Sequence, residues 1–275
     1  MNWPIQKLET VIAPLLPGFR VEVLPSVDST SSELMRRARA GQTQPVLLLA
    51  ETQTAGRGRV GRQWHTGAWE GTGVVPALTF SLGLPLVPQH TWSGLSLAVG
   101  VSVADSLQPL LPQTGSNQQR ILLKWPNDLW LDDGRKLGGI LVETASTAAS
   151  HPEERYVIVG IGLNVLPVLP HEQLSVLPAC LREVDSRWTA AAALECIGLP
   201  LVQTLLGFAE HGFAPFQARF ALRDILAARA VTLSTGEQGT AHGVAEDGAL
   251  LVLTNQGMQT ITSAGISVRP VSHKD

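Results

Sequence analysis

An α+β fold is predicted, with a mixed or antiparallel sheet flanked by helices and a small all-β barrel at the C-terminal end. Three observations predict it. Hydrophobic residues make up 44% and charged residues 16% of the 275 residues, which favours a large buried core over disorder. Helix-type and strand-type runs intermingle as far as Leu226. Beyond Ala228 the pattern changes to short β-type runs punctuated by glycine. The length suits a large domain, 1–228, followed by a small one, 229–275.

Ile5 to Leu16 is apolar at helical spacing and predicts an opening helix. Arg20 to Leu24 alternates as a strand does. Thr30-Ser31-Ser32-Glu33 has the form of a capping box, so a helix is expected from Ser31 to about Ala40, where Gly41 stops it. Val46–Ala50 and Leu78–Leu82 read as buried strands, and Thr91–Leu107 as a helix of small residues that can lie flat on a sheet. The uncharged run from Gly71 to Ala104 is broken by Pro76, Pro85 and Pro88, which argues for buried strands and a helix rather than a membrane span. Ile121–Lys124 is a strand ending at Pro126. Leu129–Leu131 and Lys136–Glu143 form a hairpin around Asp132-Asp133-Gly134. Tyr156–Gly162 is a buried strand, and the proline-rich stretch Pro167–Pro178 is a loop. Thr189–His211, kinked by Pro200, and Phe213–Leu226 are expected to be helical. Val231–Leu233, Leu250–Leu253 and Ile266–Val268 supply the barrel strands, about forty residues in all.

The residues that carry chemistry concentrate in a few places. Gly56-Arg57-Gly58-Arg59-Val60-Gly61-Arg62-Gln63-Trp64 puts three arginines on a backbone that bends freely, with an indole at its end. Guanidiniums stay charged and bind phosphate oxygens in pairs, so such a loop can wrap a polyphosphate while the indole stacks on a purine. The same stretch satisfies G-x-G-x-x-G, but a dinucleotide fingerprint needs a helix at the second glycine, and Gln63-Trp64-His65-Thr66-Gly67 does not begin one. Lys136, at the mouth of Leu137-Gly138-Gly139, can hold a carboxylate against a phosphate by screening two anions. Asp128, after Pro126-Asn127, is either a turn-capping carboxylate or one that orients or deprotonates an incoming amine. Asn127 caps the same turn or contacts nucleotide or magnesium. Ser29, Thr30 and Ser31 open a helix, which caps it and also presents hydroxyls to a ligand. Gln53 can read a neutral polar ligand. Trp64 and Trp125 also fit a core role, and Asn164 a backbone-positioning one.

A net charge of −3 argues against a general nucleic-acid binder. Cys180 and Cys196 form no CxxC, and the seven histidines show no metal-ligand spacing, so no protein metal site is expected. Two free thiols and an N-terminus without a basic start or apolar core point to the cytoplasm.

Taken in order, Asp28-Ser29-Thr30, Gln53–Trp64, Lys124–Asp128, Lys136–Glu143 and Gly160-Ile161-Gly162-Leu163-Asn164 resemble the biotin–protein ligase family, of the biotin–[acetyl-CoA-carboxylase] ligase type. Gly265-Ile266-Ser267-Val268-Arg269 looks like that family's closing strand, so the resemblance spans nearly the whole chain. It implies a class II synthetase-like catalytic domain with a C-terminal SH3-like β-barrel. It also implies a two-step reaction. Biotin attacks the α-phosphate of ATP to give biotinyl-5′-AMP and pyrophosphate. A carrier-protein lysine then takes the biotinyl group and releases AMP. By the same resemblance, biotin is held by Ser29, Thr30, Ser31, Gln53, Arg57, Gly58, Arg59 and Lys136. ATP, with accompanying Mg2+, is held by Arg57, Arg59, Arg62, Trp64, Asn127, Asn164 and Arg269. Lys136, Asp128 and Arg59 carry the catalysis, with Asp128 meeting the acceptor lysine of a biotin carboxyl carrier protein of acetyl-CoA carboxylase. The chain departs from the family pattern at Ser31, where asparagine is usual. The ligase motifs begin by Asp28, so no repressor domain, no operator DNA and no membrane are expected. A homodimer paired through a sheet edge is compatible with the sequence. A lipoate–protein ligase, a nucleic-acid-binding protein and a pure biotin-binding module are the competing readings.

Overall fold

The computed structural model describes residues 2–64, 75–146, 153–168, 176–262 and 268–270. In chain order its elements are α1 (Ile5–Ile12), β1 (Arg20–Val27), α2 (Thr30–Arg39), β2 (Val46–Gln53), β3 (Gly56–Arg57), β4 (Gln63–Trp64), β5 (Ala77–Leu86), α3 (Leu95–Leu107), β6 (Ile121–Lys124), β7 (Asp128–Leu131), β8 (Lys136–Ser146) and β9 (Arg155–Asn164). There follow α4 (Leu181–Val184), α5 (Ala190–His211), α6 (Gln217–Ala221), β10 (Ala230–Leu233), β11 (Gln238–Val244), β12 (Leu250–Thr254), β13 (Gly257–Ile261) and β14 (Val268–Pro270).

Seven strands form a mixed sheet in the order β1-β2-β5-β9-β8-β7-β6. Only β1 and β2 run parallel, and every other neighbouring pair is antiparallel. The strands alternate in burial chemistry, and β9 shows what this does. Val157, Val159, Ile161 and Leu163 point into the main core beneath α3 and α5. The opposite face carries Tyr156 and Ile158, which pack under α2 with Leu34 and Leu48, and then Gly160 and Gly162. Large side chains thus fill the space beneath the body of α2, and glycines let its first turn and the Trp64 ring approach the strand.

Several boundaries differ from expectation. The α2 helix begins one residue early because the Thr30 hydroxyl is drawn to Gln53 and Ser81. The cap therefore falls on Ser29, whose hydroxyl accepts from Ser32 N, and Glu33 pairs with Arg36 and Arg37 instead of closing a capping box. The opening helix stops at Ile12, and α3 starts at Leu95 rather than Thr91. The expected helix over Phe213–Leu226 is a 3-10 turn, the five-residue α6 and further turns. Leu123 N donates to Arg223 O and Ile225 N to Leu123 O, so the chain there is drawn out against the edge of β6. The helix expected over Thr189–His211 is α5, with Pro200 inside it. Among the described residues it is the one helix long and apolar enough to cross a membrane, and half of its most apolar stretch is buried.

The C-terminal strands form a five-stranded antiparallel sheet in the order β13-β12-β11-β10-β14. Sequence patterning misses β11 and β13, whose polar and glycine content hides their alternation. This sheet meets the larger unit at the turn after β6, where Trp125 Nε1 donates to Gly248 O at 3.1 Å.

Asp224 lies at this seam. Its Oδ1 accepts from Leu226 N, whereas Oδ2 is buried without a hydrogen-bond partner among the described residues. Burial pushes the carboxyl up to about 6 from an ordinary value of 3.8, against the opposing pull of the Leu226 amide and Arg229. The folded chain therefore binds a proton more tightly than the unfolded chain between those values. Stability is greatest below the lower value and falls as pH rises through the upper one, by about 3 kcal/mol in all. Asp224→Asn keeps the bond to Leu226 and removes the charge. Its melting temperature should exceed that of the parent at pH 7 and converge with it near pH 4; equal shifts at both pH values would refute this.

Candidate active site

A cavity of about 510 Å3 opens on the α2 face of the sheet, where Gly160 and Gly162 leave room. A Cβ on Gly160 would stand 2.4 Å from Ser31 Oγ, and one on Gly162 would stand 2.5 Å from the Trp64 ring. Only a bare backbone allows the helix start and the indole to approach the strand this closely. Every residue expected at the site lines this cavity except Arg269. Arg269 sits on β14 opposite Thr232, and its side chain lies outside the described residues, as do Gly265, Ile266 and Ser267 of the expected closing strand and His65, Thr66 and Gly67 after the arginine loop.

One end of the cavity is a hydroxyl cluster. Thr30 N donates to Gln53 Oε1 at 2.8 Å, and Thr30 Oγ1 lies 3.2 Å from the same oxygen. Ser81, fully buried on β5, brings its Oγ to 2.7 Å from Thr30 Oγ1 and 3.0 Å from Ser31 Oγ. Sequence reasoning missed Ser81 because a lone serine inside a buried strand carries no motif. Its only signal is a polar residue at a position where burial demands a partner.

At the other end, Lys136 Nζ donates to Asp128 Oδ1 at 2.7 Å. The two come from adjacent strands whose register shifts between Leu129 and Trp130, a bulge that re-aims the side chains. Asn127 Nδ2 donates to Ile140 O at 2.7 Å while Ile140 N donates to Asn127 O, which clamps the turn bearing Asp128 onto β8. Asn164 Nδ2 donates to Ala179 O at 2.9 Å, in keeping with a backbone-positioning role. Trp125 is core, 1% exposed.

The arginine loop forms a flap. Strands β3 and β4 pair antiparallel, and a 3-10 turn at Arg59–Gly61 joins them, so no α-helix follows Gly58. Gly58 N donates to Arg62 O at 2.7 Å and tightens the turn. Val60 adopts φ 55, ψ 40, a costly conformation for a β-branched residue, at the exposed tip. Arg57 pairs with Glu143 through two bonds, 2.7 and 3.1 Å, and reaches Ser32 Oγ at 3.3 Å. Burial pulls the pKa of Arg59 below its ordinary value, with Arg62 adding to the shift and Asp128 opposing it. A half-buried guanidinium beside a second one favours an anion. The Trp64 indole N–H is buried without a partner among the described residues, a donor that a ligand can satisfy.

Asp128 is the sole carboxylate among the described residues lining the cavity, and it is already paired. No group of three or more His, Cys, Asp or Glu suited to a metal ion occurs among the described residues. This donor set fits a magnesium ion that arrives on nucleotide phosphates rather than one in a protein cage. Together the flap, the indole and the lysine–aspartate pair can bind an organic acid and a nucleotide with their reacting groups adjacent.

The family model described as Biotin/lipoate A/B protein ligase family matches residues 23–164, and the one described as Biotin protein ligase C terminal domain matches residues 229–269. The chain is 33% identical over 260 residues to "Bifunctional ligase/repressor BirA" of Bacillus subtilis, covering 90% of this chain and 72% of that protein. It is 29% identical over 255 residues to "Biotin--[acetyl-CoA-carboxylase] ligase" of Paracoccus denitrificans, covering 89% of this chain and 98% of that protein. The solved biotin protein ligase from Aquifex aeolicus in complex with biotin and ATP superposes with a TM-score of 0.71 at 27% identity, over 91% of this chain and 99% of that one.

Proposed function

From a chain that belongs to the biotin/lipoate A/B protein ligase family, and whose cavity joins a hydroxyl cluster to an arginine flap through one lysine, we propose an ATP-dependent biotin–protein ligase. It activates biotin as biotinyl-5′-AMP and transfers the biotinyl group to a lysine of a biotin carboxyl carrier protein, the acetyl-CoA carboxylase carrier being the expected one. The observation that carries this reading is Lys136 on Asp128 in one cavity with the neutral hydroxyl cluster and the arginines of the flap.

The hydroxyls of Ser29, Thr30 and Ser31 and the Gln53 amide hold the uncharged ureido ring. Ser31 lacks the amide usual in the family, and Ser81 orders the remaining hydroxyls. Lys136 sits between the biotin carboxylate and the α-phosphate and offsets their repulsion. Trp64 stacks on the adenine. Arg59 and Arg62 draw negative charge from the phosphates onto the flap, and the closed flap keeps water from the labile anhydride. Once pyrophosphate has gone, Asp128 receives and orients the acceptor amine. Magnesium accompanies the ATP phosphates.

Ser81→Ala leaves Thr30 and Ser31 without their shared partner. It should raise the KM for biotin roughly fivefold, a loss of about 1 kcal/mol, with kcat little changed. An unchanged KM for biotin would mean that the cluster holds no ligand.

The reading is tested by mass gain on a carrier lysine with biotin, ATP and magnesium, with lipoate in a parallel arm. Biotin-dependent gain is expected. Gain only with lipoate would make the chain a lipoate–protein ligase. The match of residues 229–269 to a biotin protein ligase C-terminal domain favours biotin.

A further inference from the structure

Flap residues 56–64 turn much of their surface to solvent. Gly56 is buried, but Arg57, Val60, Gly61, Arg62 and Gln63 are exposed, and Val60 is 71% so. A segment with so little buried apolar area opens at small cost, and each tie to the body shifts that equilibrium. Arg57 makes such a tie. Its guanidinium meets Glu143 fork to fork, across 86 residues of sequence, and also reaches the Ser32 hydroxyl in the first turn of α2. Planar two-bond pairing is the geometry in which a partly exposed ion pair contributes measurably. Glu143 stands on β8 paired with Ile158, so the carboxylate is mounted on a central strand of the sheet and moves little. The nearby acid Asp28 is otherwise engaged, held by two bonds from Arg36 and one from Ser29 N.

We propose that Glu143 is a positioning residue that latches the flap through Arg57 and holds the cavity shut when no polyphosphate does so. This rests on the ligase reading above. With ATP bound, phosphate charge draws Arg59 and Arg62 inward and the flap needs no latch. After pyrophosphate leaves, a single phosphate charge remains, three arginines on one short loop repel one another, and the acyl-phosphate anhydride still has to wait for a lysine. The Glu143 carboxylate neutralises one of the three and keeps the loop in register during that interval.

The test compares Glu143→Gln and Glu143→Asp with the parent chain. In ligand-free protein, trypsin cleavage after Arg57, Arg59 or Arg62, followed by fragment mass, should be about three- to fivefold faster in the Gln variant, with the Asp variant in between. Biotinyl-5′-AMP released to solution per carrier molecule modified should rise by a similar factor, while the first turnover of pyrophosphate release and the melting temperature stay unchanged. Unchanged cleavage and unchanged leakage in the Gln variant would overturn the latch. So would a fall in melting temperature or in the first turnover, which would assign Glu143 to the sheet instead. Should the parent chain release no pyrophosphate with biotin, the ligase reading fails, and the proteolysis arm still judges the latch.

Discussion

Lys136→Ala should lower biotin-dependent pyrophosphate release by about two to three orders of magnitude, the scale of removing a preorganised group from developing charge. Two effects add. The biotin carboxylate and the α-phosphate lose the cation that lets them approach. In addition, Asp128 loses the ammonium 2.7 Å from its Oδ1 and becomes a third anion, in a largely buried position, without its hydrogen-bonded cation. Lys136→Arg should not restore the rate, because a planar fork is bulkier than a point charge and spreads its donors over two oxygens. Pyrophosphate release under saturating ATP, with a melting curve as a folding control, decides the matter. A folded alanine variant within about threefold of the parent rate would remove Lys136 from the chemistry.

Asp128→Asn should separate the two half-reactions. Loss of a positioned base or orienting carboxylate costs on the order of 100-fold or more in the step that uses it. Transfer from preformed biotinyl-5′-AMP to the carrier lysine should fall by that amount. Adenylate formation should fall by less than about tenfold, since the Asn carbonyl still accepts from Lys136 at this short range. Hydroxylamine, an amine already uncharged at neutral pH, should intercept the adenylate at nearly the same rate in both proteins. An equal loss in both half-reactions would show that Asp128 serves Lys136 alone.

Much of this site was legible before any coordinates, and for a local reason. Glycine and arginine at 56–62, the Pro126-Asn127-Asp128 turn and Lys136 before a pair of glycines are dense and unusual along the chain, and residue type already states what they can bind. Strand and helix cores were legible because apolar runs persist through β2, β5, β6 and α5. Ends were less so. The capping box at Thr30 failed because its hydroxyl is taken by Gln53 and Ser81, partners 23 and 51 residues away.

From sequence alone came the chemistry on offer: a cationic flap, one lysine, one aspartate, an indole and a row of hydroxyls. Tertiary structure alone decided who meets whom. It put Ser81 behind Thr30 and Ser31, set Glu143 against Arg57, and drew the chain after α6 along β6 instead of into a helix. The physical reason is that side-chain chemistry belongs to each residue, whereas a hydrogen bond or ion pair depends on distances that strand register and packing create between residues far apart in the chain.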